Sequence, residues 1–108
     1  MSWWAIFFGF NGRINRAKYW LGVLMFYLLI VAALYISIDL VSAAVLVLPA
    51  CWIHCAVAVK RLHDLDKSGW WVIPWLLLPG GQLILGALPG TEGANRYGAD
   101  PLSTWHAA

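Results

Sequence analysis

Polar positions along this chain are few and bunched, and three long apolar stretches separate them. Residues 19–38 carry no charge, and eleven of them are Leu, Ile, Val or Phe. At about −0.3 to −0.6 kcal/mol each, they favour insertion into lipid by about −5 kcal/mol. Residues 40–59 are again free of charge. One helix through both runs would be about 60 Å long, roughly twice the hydrocarbon core. The chain must therefore reverse at Asp39, which is placed to cap the next helix and oppose its dipole. Pro49 is expected to bend that second helix near mid-membrane.

The third charge-free run, 68–91, has a different texture. Pro74, Pro79, Gly80, Gly81, Gly86 and Pro89 interrupt it, and Gln82 adds a polar group. Pro-Gly-Gly at mid-depth unwinds a helix, and the freed backbone must be satisfied by protein or water, not lipid. The preferred reading is a spanning helix over 70–90, broken in its middle. The other is a re-entrant pair of half-helices, which would return the tail to the loop it left.

Residues 1–12 are apolar but too short to span. Trp3, Trp4, Phe7, Phe8 and Phe10 suit the headgroup boundary, Asn11-Gly12 reads as a turn, and Asn15 is a candidate N-cap. Residues 91–101 are polar and turn-rich, and 102–108 are expected to fray. The predicted fold is all-α: a single integral membrane domain with an interfacial lead-in (1–18), helices at 19–38, 40–59 and 70–90, and a polar tail (91–108). A cleaved signal peptide is not expected, because the first apolar run precedes its basic residues.

Composition strengthens this picture. The 108 residues are 62% apolar and 11% charged, against about 45–50% and 25% in soluble domains. So small a fold cannot hide that much apolar surface from water. The twelve charges are unevenly placed. Lys60, Arg61, Asp64, Asp66 and Lys67 form an island with His63 between the second and third runs. Arg13, Arg16 and Lys18 precede the first helix, none flanks Asp39, and Arg96 lies in the tail. Positive flanks stay inside, so the N-terminus and island are read as cytoplasmic, and three spans would put the tail outside. Basic residues beside apolar runs suit a membrane surface rather than nucleic acid.

Candidate chemistry is sparse. Cys51, His54 and Cys55 share a helical face but lack a fourth metal ligand, and they do not form a haem-attachment motif. Their spacing is also too long for an ordinary disulfide. His54 is read as bonding a neighbouring helix, and as an intramembrane functional candidate. His63, Asp64, Asp66 and Ser68 are the residues an enzyme would recruit, and the first three the only set in the island for a divalent metal. Catalytic groups normally converge from distant segments, so no catalytic, metal or cofactor site is predicted here. Lys60, Arg61 and Lys67 are better suited to anionic lipid headgroups. Arg61 and Asp64, three apart, can pair.

Three blocks remain: Phe10-Asn-Gly-Arg13 with Arg16 and Tyr19-Trp20; Lys60-Arg61-Leu-His63-Asp64 with Ser68-Gly69-Trp70-Trp71; and Gly93-Ala-Asn95-Arg96-Tyr97-Gly98-Ala-Asp100-Pro101. In these the chain resembles domain-of-unknown-function family 805, small bacterial inner-membrane proteins. The family pattern often has Arg at Lys60 and Pro near Ala99. The resemblance implies an inner-membrane location and a few spanning helices, and no reaction. Arg13, Arg16, Lys60, Arg61, His63, Asp64, Ser68, Asn95, Arg96 and Tyr97 form the expected polar cluster at the membrane surface. The predicted role is a non-enzymatic accessory protein that docks onto other membrane proteins or itself. An oligomeric transporter or channel component is the alternative, ahead of a lipid-headgroup enzyme.

Overall fold

The computed structural model describes residues 2–78 and 80–102. Pro79 and residues 103–108, where a kink and a frayed end were expected, lie outside the described residues. Helix α1 (Trp3–Phe8) starts at Ser2, whose Oγ accepts from the Ala5 amide. Trp3 stacks on Phe7 and Trp4 on Phe8, one turn apart. Ile6 is buried and both tryptophans are exposed, the layout of an interfacial helix.

Helix α2 (Arg16–Ile36) is capped by Asn15, whose Oδ1 accepts from the Lys18 amide at 2.9 Å. Helix α3 (Leu40–Asp64) is capped at Asp39. Asp39 Oδ1 accepts from the Ser42 amide at 2.8 Å, and Ser42 Oγ accepts from the Asp39 amide at 3.2 Å. The reciprocal pair satisfies two otherwise orphaned donors. Both helices are long and apolar enough to cross a membrane, with mean hydropathies of 2.2 and 2.1. Pro49 lies within α3, which continues through it as one helix. The pair crosses closely because Gly22 faces Val57: a Cβ on Gly22 would lie 2.4 Å from Val57 Cγ1.

The core gathers at the Asp64 end of this hairpin. Ile14, Tyr19, Val23, Val57, Ala58, Leu62 and Leu85 form it, with Phe7, Leu65, Val72 and Trp75 packed against it. The Asp39 end stands bare, with Leu34 77% and Ile38 92% exposed. The molecule is accordingly elongated, 50 × 28 × 19 Å. Such apolar exposure is what lipid would cover.

Residues 70–90 depart from the preferred expectation. A short 3₁₀ turn (Gly69–Trp71) leads into α4 (Val72–Leu77), and α5 (Gly81–Ala87) follows a break. At 1.5 Å per residue these helices run about 9 and 10 Å, too short to cross separately. Gly80 turns the chain at φ +80°, and a Cβ on Gly81 would lie 2.1 Å from the Trp75 carbonyl oxygen. The segment leaves from the end of α3 and comes back to it, since the Thr91 amide donates to the Asp64 carbonyl at 2.8 Å. Residues 70–90 thus hold two short helices rather than one continuous helix, and the tail rests against the island.

Candidate functional site

Asp64, the last residue of α3, sits between two arginines. Arg13 Nε donates to Asp64 Oδ1 at 2.9 Å, and Arg61 Nη1 bonds Oδ2. All three side chains are almost wholly buried. Arg13 spends its remaining donors on the tail: Nη1 on the Gly93 and Gly98 carbonyls, Nη2 on the Thr91 carbonyl and hydroxyl. The whole guanidinium fork is thereby used. Arg61 donates from Nε to the Leu85 carbonyl at 2.9 Å, from Nη1 to Ile14, and from Nη2 to Leu88. A planar fork suits this task, holding several acceptors in fixed directions. Gly90 gives the carboxylate its room, because a Cβ there would lie 1.9 Å from Asp64 Oδ2.

The other basic residues repeat one theme. Arg61 and Arg16 both donate to carbonyls at the end of α5, Arg16 to Ala87 at 3.1 Å. Lys60 Nζ donates to the Ala5 and Ile6 carbonyls of α1. The last carbonyls of a helix lack intrahelical partners and carry its negative pole, so cations there serve as caps. Lys60 and Arg61 are 0% and 1% exposed. They are thus not offered to lipid headgroups as expected. Of that trio only Lys67 faces outward, 5.9 Å above the Trp71 ring.

His63 stacks face to face on Tyr97, ring centroids 4.0 Å apart, and its Nδ1 donates to the Gly12 carbonyl at 2.9 Å. Asn95 donates to the His63 carbonyl and to Thr91 Oγ1. Arg96 lies outside, paired with exposed Asp66. Ser68 caps the 3₁₀ turn through the Trp70 amide. The structure therefore brings Arg13, Arg61, His63, Asp64, Asn95 and Tyr97 together, with Arg16, Lys60, Ser68 and Arg96 around them on separate tasks. His63, Asp64, Asp66 and Ser68 each bond a different partner (Gly12, the two arginines, Arg96 and the Trp70 amide), and no group of three or more His, Cys, Asp or Glu placed to hold a metal occurs among the described residues. Thr91 and Gly90 are participants that the sequence reading did not single out. Their contributions are mainly backbone groups and space, which no side-chain motif announces.

A second polar group lies deeper. The Tyr27 hydroxyl donates to Gln82 Oε1 at 3.0 Å, and Gln82 Nε2 lies 2.7 Å from His54 Nε2. Tyr19 donates to the Gln82 carbonyl at 2.7 Å, and Trp20 Nε1 to the Gly86 carbonyl. His54 does bond a neighbouring helix, as expected, and packs on Phe26. Cys51 is exposed and Cys55 half-buried, and both are free thiols.

Two apolar helices long enough to span, closed at one end by a buried arginine–aspartate clasp, make an all-helical frame, and the proteins it is similar to are inner membrane proteins. The chain belongs to the family described as protein of unknown function (DUF805), which matches residues 7–99. It is 35% identical to the inner membrane protein YhaI of Escherichia coli K12 over 105 residues, covering 86% of each chain. It is 32% identical to the inner membrane protein YhaH over 108 residues, and 30% identical to the uncharacterized protein YiiR over 125 residues, both of the same organism. These cover 86% of this chain, and 87% of YhaH and 86% of YiiR. No solved structure matches.

Proposed function

We infer that this chain is a non-enzymatic inner-membrane protein that docks onto other membrane proteins. Helices α2 and α3 span, while α4 and α5 dip into one leaflet and return. One observation carries the reading: the polar groups of the cluster are spent on holding the chain's own segments together. Among the described residues, the only buried side-chain polar atom without a partner is Ser37 Oγ, at the far end of the hairpin. A satisfied network of this kind rigidifies a surface rather than turning over a substrate. With the tail beside the island, all seven Lys and Arg fall at one end of the hairpin and none at the Asp39 turn. By the positive-inside rule that end is cytoplasmic, tail included.

Capture of the full chain from membranes in mild detergent tests the docking role. A stoichiometric membrane-protein partner, or a discrete homo-oligomer, is the expected result. A monodisperse monomer that brings down nothing would overturn it. The Tyr27–Gln82–His54 group at a helix break favours a second reading, a component of a transporter. Solute flux in liposomes that His54→Ala abolishes would select that reading.

A further inference from the structure

Among the described residues, the hydrogen bonds that tie the short helices to the long hairpin fall toward one end of it. On α2 they run from Arg16, through Tyr19 and Trp20, to Tyr27, each meeting α5. On α3 they run from Trp52, which donates to the Phe8 carbonyl of α1, to Lys60 and Arg61. Helix α4 joins the same end, with Val72 and Trp75 packed on the core. Trp52 lies twelve residues before Asp64, about 18 Å along a helix whose 25 residues run about 37 Å. Toward Asp39 the hairpin stands alone, with Tyr35, Leu40 and Val41 83%, 85% and 72% exposed. A helix with its side chains is about 10–12 Å across. The Asp39 end thus has the section of two helices, and the Asp64 end has that section plus three short helices. The wide end is also stiffened, because Arg13, Asp64 and Arg61 tie the lead-in, the hairpin and the tail together.

We propose that the molecule is a wedge whose fitting partner is a curved lipid surface, one bent convex on the side of the tail. The preference rests on the topology inferred above, in which α2 and α3 span while α4 and α5 dip into the leaflet beside the tail. The wide end then spreads that leaflet and the narrow end leaves the other nearly unfilled. A bilayer accommodates such a shape by bending toward the wide side. Helices seated in one leaflet respond to curvature for the same reason. Trp3, Trp4, Trp70 and Trp71 are exposed on the short segments and supply the ring type that collects at the headgroup boundary.

The test uses the full chain, carrying a fluorophore at its C-terminal end, in giant phospholipid vesicles from which narrow membrane tubes are pulled. A membrane-impermeant quencher separates molecules with the tail outside from those with the tail inside. Tail-out molecules should be enriched about twofold in the tube, relative to a lipid dye, since small mismatch costs already sort proteins among membranes. Tail-in molecules should be depleted. Leu34→Trp with Val45→Trp adds bulk to the exposed narrow end, away from the buried cluster, and should lower the enrichment. Trp3→Ser with Trp4→Ser trims the wide end and should lower it too. Equal density in tube and vesicle for both orientations, or depletion of tail-out molecules, would overturn the wedge alone. An impermeant reagent that marks the N-terminus and the tail on opposite faces would overturn the topology, and the wedge with it.

Discussion

At the scale of single residues, the buried charges of this protein read backbone. Asp64 is the one carboxylate between two buried guanidinium groups. Asp64→Asn leaves both cations buried without a counter-charge, and removing one partner of a buried pair typically costs about 3–5 kcal/mol. Chemical unfolding in detergent should show a loss of that order, and limited proteolysis should cut the tail near residues 93–98 sooner. Asp39 is the opposite case, an exposed cap. Hydrogen bonds from the Ser42 amide and then its hydroxyl hold its carboxyl below the usual carboxylate range. A depressed folded value stabilises above the unfolded one and is lost as pH falls through the folded one. Thermal unfolding of the wild type should therefore gain an acid-side decline, below about pH 4, that Asp39→Ala lacks. The sequence revealed the Asp39 and Asn15 caps and the Arg61–Asp64 pair, because each depends on neighbours within four residues. It did not reveal that Lys60 and Arg61 turn inward. Their acceptors are carbonyls of α1, Ile14, Leu85 and Leu88, tens of positions away, and a carbonyl looks the same in every residue.

At the scale of elements, packing decides what hydropathy leaves open. The two long helices were legible from uninterrupted apolar runs of the right length. The third run was not, since a broken span and two half-helices share one composition. What distinguishes them is where the chain returns, and that is set by Arg61 and Arg16 taking the last carbonyls of α5. Close approach of α2 and α3 rests on Gly22. Gly22→Ile drives a side chain into Val57, and overpacking of this kind costs about 1–3 kcal/mol. Gly22→Ile with Val57→Ala should recover much of the loss, read as thermal midpoints of the single and double variants. If the double variant is no better than the single, the two helices do not meet there.

At the scale of the whole molecule, the cluster joins the lead-in, the island and the tail. Reporter fusions after Asp100 and at the N-terminus should give the same sidedness, and a fusion at Asp39 the opposite. An external signal after Asp100 would select the three-span topology instead. The three blocks that carried the family resemblance lie in distant parts of the sequence, and the structure gathers parts of all three around Asp64. The clasp also has a consequence for biogenesis. Arg13 is synthesised long before its acceptors at Thr91, Gly93 and Gly98, which lie 78 to 85 positions further on. A nascent chain can insert its hairpin long before that bond set exists. Until Thr91 and Gly93 have been made, the Arg13 guanidinium lacks the carbonyls that take up its Nη donors, so the clasp closes only after the helices it ties together already exist.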